Sequence, residues 1–379
     1  MVSATWQQVR GRRLQRSSLV TRAGAERLVE ITSAVGGVHA QIQASAELQL
    51  GARVADVTHA DIRAALWERR VLVKAWTLRG TLHLHPAEEL AVWHAARRAG
   101  ASTSAQEQLE AWRDPAGVVH PPIGVEQVQQ IRDAVWDALD RRCLTREELA
   151  EDVVGRVGPG PRGRLRSGFG FFLADLCQGP PQGAKATFVR PDQWIDGWRE
   201  IDAEQALLVA CRRFLHAYGP ARPADFREWI GGRGFDAERA QWAFQSLGDE
   251  IEEVDVEGRR AHVLAGDTTF ADAPGTVRLL PEYDLYVMGF RERGELVPDP
   301  VRELMARHGR GRYEGPAGTR FLLAGGLLAG LWERRRSGRR IELRVFPIRR
   351  LTRAERAELA AEAERIGNLL DLEPTLSVA

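Results

Sequence analysis

Two carboxamides separated by one apolar residue, Gln41-Ile42-Gln43, stand shortly after the pair Gly36-Gly37. Side chains at i and i+2 share a side only where the backbone is extended, so the spacing predicts an extended stretch with Ile42 turned to the core. A neutral amide is no general base near neutral pH, but its carbonyl oxygen can hold a water and lie against a developing positive charge. Capping or surface glutamines give the same pattern, so residue type alone leaves both readings open. Arg79, Thr81 and His83 alternate along an expected strand, which puts them on one face to meet a phosphate or orient a water. His83 is equally suited to a structural role, with Leu82 and Leu84 on the opposite, buried face. His83-Leu84-His85 lacks a third ligand at metal spacing, and Cys143, Cys177 and Cys211 are isolated, so neither a metal nor a disulfide framework is expected. Asp284, within Pro281-Glu282-Tyr283-Asp284, is an acidic candidate or a turn cap. Amine chemistry is confined to Lys74, Lys185 and the N-terminus, because every other basic side chain of this class is arginine.

The elements that must position these groups follow from periodicity and punctuation. Three segments share a plan of helices followed by a strand pair, the order of a winged helix-turn-helix. The first has helices near 5–14, 25–35, 45–53 and 58–68, strands 71–78 and 81–85 turning at Arg79-Gly80, and a helix 87–98 begun by Pro86. The second has a helix 125–142, a capping box from Thr145 to Glu148, a helix 165–177 and a strand 187–189. The third has helices 203–217 and 223–230, a helix capped by Asp236 running through Leu247, and a hairpin of 251–256 with 260–264. Residues 101–119 read as a surface connection. From Gly266 the chain turns strand-rich, at 277–280, 285–288, 321–323, 326–334 and 339–346, before a terminal helix 353–370. The fold class is therefore α+β, tandem winged-helix units over 1–120, 121–200 and 201–265 with a strand-rich region over 266–379.

A chain of 379 residues, 44% hydrophobic and 28% charged, has material for two to four packed subdomains. No run of 18 apolar residues occurs, and the first 22 residues carry Arg10, Arg12, Arg13 and Arg16 without an apolar core behind them, so neither a membrane span nor a signal peptide is expected. The odd, scattered cysteines fit a reducing cytoplasm. The net charge of +1 hides clustering: Arg334, Arg335, Arg336, Arg339 and Arg340 flank the turn Ser337-Gly338 in a basic hairpin that can clamp a phosphate backbone. A solvated charged hairpin, or the arginine bias of a GC-rich genome, gives the same pattern.

Several ordered blocks resemble one known family. Gln41-Ile42-Gln43 followed by Ala52-Arg53, the run Trp76-Thr77-Leu78-Arg79-Gly80-Thr81-Leu82-His83, Tyr218-Gly219-Pro220-Ala221 with Asp225-Phe226 and Trp229, and Leu279-Leu280-Pro281-Glu282-Tyr283-Asp284 with Gly289-Phe290-Arg291 are similar to blocks of the AlkZ/YcaQ-like DNA glycosylases. The family's Gln-apolar-Gln signature falls on Gln41 and Gln43, as in its AlkZ branch; the YcaQ-like branch has an acidic residue in the second place. The resemblance implies winged-helix units around a concave DNA-binding channel and a monofunctional glycosylase for alkylated DNA, often serving self-resistance to genotoxic natural products. It implies Gln41 and Gln43 as catalytic, supported by Arg79, Thr81, His83 and Asp284, with Arg53 and the hairpin arginines on the DNA. The expected partner is double-stranded DNA containing alkylated purines, met by a monomer without a cofactor. Alkylation at purine N7 makes the leaving base cationic, so two amides are chemically adequate without a general acid, whose help is usually worth ~10² to 10⁴ in rate. A non-catalytic winged-helix regulator or an interaction scaffold are the competing readings. A regulator calls for a basic recognition helix, which 238–247 does not supply.

Overall fold

Local capping chemistry decides where the helices start. Thr5, Thr58, Thr145 and Thr352 each accept a hydrogen bond from the third helical N–H while that residue's side chain bonds back to the cap, closing a reciprocal box. The structure, a computed structural model, describes residues 2–100, 109–114, 116–167, 172–308 and 318–379, without the side chains of Arg166, Ser167 and Arg233. Parts of the expected connection, 101–108 and 115, and of the expected helix, 168–171, lie outside the described residues.

In chain order the first segment holds β1 (Val2–Ala4), α1 (Trp6–Arg16), α2 (Leu28–Ala34), β2 (Val38–His39), α3 (Gln43–Arg53), α4 (His59–Trp67), β3 (Leu72–Trp76), β4 (Leu82–Pro86) and α5 (Leu90–Ala99). The second holds β5 (Trp112–Arg113), β6 (Val119–His120), α6 (Val125–Ala138), β7 (Leu144–Thr145), α7 (Arg146–Val157), α8 (Arg162–Ser167), β8 (Cys177–Gln182) and β9 (Lys185–Val189). After α9 (Pro191–Trp194) come α10 (Ala203–Tyr218), α11 (Pro223–Ile230), α12 (Ala237–Leu247), β10 (Ile251–Val256) and β11 (Arg259–Leu264). The remainder is β12 (Val277–Leu280), α13 (Leu285–Met288), α14 (Asp299–Arg307), β13 (Phe321–Ala324), β14 (Leu327–Ser337), β15 (Arg340–Pro347), α15 (Arg353–Leu370) and β16 (Glu373–Val378). The chain is thus mixed α+β, and among the described residues no helix is long and apolar enough to cross a membrane.

The sheets join distant parts of the chain. One takes strands in the order β2-β4-β3-β8-β9-β7, running from the first segment into the second; another pairs β1 in parallel with β10, which carries β11. The third, β12-β13-β14-β15-β16, is built wholly from residues 277–378. Its inner face shares a core with α2, α3, α4 and α15, including Leu48, Leu50, Ile62, Leu279, Trp332, Leu343 and Ile366. As a result α3 is wrapped almost completely, with every residue from Ser45 to Arg53 buried.

Two expected elements differ. Residues 285–288 form the short helix α13 in place of a strand, because Asp284 accepts from the Tyr286 N–H at 2.9 Å and so caps a turn. The expected helix over 165–177 is helical only to Ser167 among the described residues; 172–175 form a turn, and Cys177 enters β8, opposite both Ala75 and Val189. A backbone pinned between two strands satisfies its polar groups in the ladder and has no call for helical partners.

Candidate active site

Gly36 and Gly37 bring the chain out of α2 with φ of 72° and 96°. A Cβ on Gly37 would lie 2.1 Å from the His85 ring, so glycine is what permits β2 to close against β4. The ladder continues past β2, with the Ala40 N–H donating to the Leu82 carbonyl at 2.7 Å, and then a side chain completes it. The Leu82 N–H donates to Gln41 Oε1 at 3.3 Å. Ile42 follows in extended conformation as the N-cap of α3, and Gln43 is the first helical residue. The expectation that Ile42 turns inward is overturned: it is 42% exposed, because strand alternation stops where the helix begins. Gln41 is exposed and Gln43 half-buried at the same turn.

Three contacts hold α3 so that this turn is fixed. The Ser45 hydroxyl donates to the Glu282 carbonyl, Gln49 Nε2 donates to the His39 carbonyl at 3.0 Å, and Arg53 forms two 2.8 Å bonds to the carboxylate of Asp284. The segment before α13 is thereby drawn to the start of α3, where Tyr283 stacks on His39 at 4.8 Å. Lys74, rising from the central strand β3, donates from Nζ to Gln43 Oε1 at 3.1 Å. Glu47, which meets Gln43, and Glu282 and Asp284, which precede α13, are each ion-paired: Glu47 with Arg63 at 2.8 Å, Glu282 with Arg320 at 2.7 Å, and Asp284 with Arg53.

The structure brings Gln41 and Gln43 together and separates several residues expected to help them. Arg53 was expected on DNA, yet both it and Asp284 are 0% exposed in their mutual salt bridge, so neither is presented to a phosphate or a water. Arg79 does not alternate with Thr81 and His83 on a strand. It sits in a tight turn at φ 54°, and its guanidinium donates to the Trp229 carbonyl at 2.6 Å, tying β3–β4 to α11. Burial lowers its pKa to about 10, still well above neutral, so that bond stays charge-assisted. Thr81 donates its hydroxyl to the Leu78 carbonyl at 3.1 Å. His83 is fully buried, as are Leu82 and Leu84, because β4 is covered on both faces; its Nδ1 donates to the Thr81 carbonyl at 3.0 Å. Burial, reinforced by Arg79 and the neighbouring His39 and His85, pushes the His83 pKa far down, so the ring is a neutral structural group and meets no phosphate.

Residues missed in the sequence are Lys74 as a partner of Gln43, Glu47 and Tyr283. Glu47 was accessible in principle, since it lies at i+4 from Gln43 on a helix and accepts from Gln43 Nε2 at 3.4 Å. The basic hairpin is β14 and β15, turning at Gly338-Arg339, with Arg335, Arg336, Arg339 and Arg340 exposed. Arg334 at its base is half-buried, where desolvation lowers its pKa against the pull of Glu282 and Glu47. A cleft of about 410 Å³ lined by Ala44, Glu47, Arg63, Arg334 and Arg336 runs between the hairpin and the start of α3. The base of the hairpin therefore faces Ala44 and Glu47 in the first turns of α3.

The model of a family described as "DNA glycosylase AlkZ-like" matches residues 32–369. A curated interstrand DNA cross-link repair glycosylase of Streptomyces sahachiroi is 30% identical over 345 residues, spanning 88% of each chain. The solved structure of the Streptomyces sahachiroi DNA glycosylase AlkZ superposes with a TM-score of 0.79 at 27% identity, covering 100% of both chains. The match spans both the glutamine turn and the hairpin, and the chain belongs to the AlkZ-like DNA glycosylase family.

Proposed function

We propose that this chain hydrolyses the N-glycosidic bond of N7-alkylated purines in double-stranded DNA, cross-linked adducts like those named for its relative included, as self-resistance to a genotoxic natural product. The observation that carries the reading is the pairing at the glutamine turn. Gln41 and Gln43 each have one carbonyl lone pair engaged, by the Leu82 N–H and by Lys74, which leaves each oxygen a second lone pair for one proton of a shared water. Glu47, Glu282 and Asp284 are committed to arginines and offer the departing base no proton. A cationic purine needs none: its C1′–N9 bond breaks with both electrons flowing into the ring, neutralising the N7 charge. The water oxygen bonds C1′ and its proton passes to solvent. The two amide oxygens lie against the positive charge that builds on the sugar.

We read the helix-helix-helix-hairpin order of α10, α11, α12, β10 and β11 as one winged-helix unit, with the first two segments as variants of it around a DNA channel. The basic hairpin borders that channel beside the first turns of α3. Duplex DNA carrying 7-methylguanine should release the free base on incubation, and heat or alkali should then cut the strand at the abasic site. Sequence-specific retention of DNA without base loss would replace this reading by that of a regulator. Strand cleavage without alkali is not expected, since Lys74 is buried and donated to Gln43; borohydride should trap no covalent protein–DNA adduct.

The hairpin prediction is electrostatic. Changing Arg335, Arg336, Arg339 and Arg340 together to glutamine should reduce the log-log salt dependence of duplex binding by about 3 to 4, each phosphate contact contributing roughly 0.9 to the slope. Fluorescence anisotropy between about 50 and 200 mM salt reads that slope directly. An unchanged slope would return the hairpin to the status of a solvated surface loop.

A further inference from the structure

The geometry points to Lys74 as a positioning residue that locks the carboxamide of Gln43 in the orientation the reaction uses. This deepens the proposed function and rests on Gln43 acting there. An ammonium has three donors and no acceptor, so the group facing it must be the amide oxygen; the amide nitrogen is then turned toward an acceptor, and Glu47 Oε1 stands there at 3.4 Å. Gln43 thus lies in a chain running Lys74, Gln43, Glu47, Arg63, in which each partner dictates the polarity of the next. Without Lys74 only the long 3.4 Å bond to Glu47 would orient the amide, and a flipped Gln43 would present N–H donors to a water that must donate its own protons.

The anchor itself is rigid. Lys74 lies opposite Leu84 in β3, between β4 and β8, and is 7% exposed. Burial in this pocket lowers its pKa to about 8, with Glu47 opposing the shift. Among the described residues, the other charged or titratable groups around this chain are Arg63 from α4, which neutralises Glu47, His59 from α4, which lines the same cleft as Glu47, Arg334 from β14, which also faces Glu47, and His39 from β2. His39 is held down to about 4, first by burial and then by Arg79 and Lys74, so it is neutral wherever Lys74 titrates. Lys74 therefore changes charge within a unit or so of neutral pH, and its charged form is the one that fixes Gln43.

Two measurements test the assignment. With 7-methylguanine duplex under single-turnover conditions, the base-release rate should fall above about pH 8 in the unaltered protein. Lys74→Met should release base about 10-fold more slowly at pH 7 with duplex affinity within about 2-fold. Lys74→Arg, which keeps a cation and donors, should recover most of the rate and remove the alkaline fall up to pH 9.5. A Lys74→Met rate equal to that of the unaltered protein overturns the assignment, as does a rate that climbs through pH 8 and is lost in Lys74→Arg, which would make the amine a base. The second measurement uses no substrate: the side-chain amide signals of Gln43 in protein labelled with ¹⁵N-glutamine, assigned by their loss in Gln43→Ala, should shift with a midpoint near pH 8 and stop doing so in Lys74→Met. Static signals overturn the assignment irrespective of catalysis. Loss of base release on removing Gln43, together with an inert Lys74→Met, sinks the lysine's role while leaving the glutamine reading intact.

Discussion

Replacing Gln41 and Gln43 together by alanine is expected to slow single-turnover release of 7-methylguanine by about 10² to 10³-fold, the usual cost of removing a preorganised dipole from a charge-developing site. The amides are proposed to hold one water between them, so either single change should cost nearly as much as both; groups that work as a unit lose their effect together. Duplex binding and folding should survive. Gln41 is exposed and Gln43 half-buried, and neither belongs to the apolar core. The informative measurement is the ratio of release rate to duplex affinity in each variant. A double variant that still releases base at an undiminished rate would remove both amides from the mechanism.

A second large effect concerns Arg53, and it is one of stability. Its salt bridge with Asp284 is fully enclosed and made by two 2.8 Å bonds. Truncating one member leaves an uncompensated charge in the interior, so Arg53→Leu should lower the unfolding free energy by about 3 to 5 kcal/mol. Changing both, Arg53→Met with Asp284→Leu, should recover much of that loss, because the pair itself is offset by its desolvation and what hurts most is the orphaned partner. Urea titration reads both numbers. The folded Arg53→Leu protein should keep the salt slope of duplex binding; a slope reduced by about 1 would show that Arg53 meets a phosphate after all.

The parts of the fold that were readable in the sequence are those decided within a few residues. Pro223 at the start and Gly231 after the end fixed α11 at the expected bounds, the cap at Asp236 did the same for α12, and the box at Thr145 placed the start of α7. Residues 285–288 went wrong because four apolar residues fit a strand as well as a turn of helix. What tips them is Asp284, whose carboxylate is held at the cap by an arginine 231 positions away. His83 fell in the same way: alternation marks one face of a strand as exposed only when the other alone is covered, and β4 is covered on both.

The chemistry of the site divides along the same line. The sequence by itself determined which groups are available: two neutral amides one residue apart, two lysines in the whole chain, and a hairpin rich in arginine. These follow from composition and spacing, which need no fold to be counted. Only the tertiary structure decided which of them meet. It enclosed Arg53 and Asp284, neutralised Glu47 and Glu282, and set Lys74 against Gln43, although 31 residues separate those two along the chain. The reason is physical: an isolated charge cannot be buried at tolerable cost, so its environment is set by whichever opposite charge or dipole the packed chain brings alongside, and that identity is a property of the packing and of no local stretch of sequence.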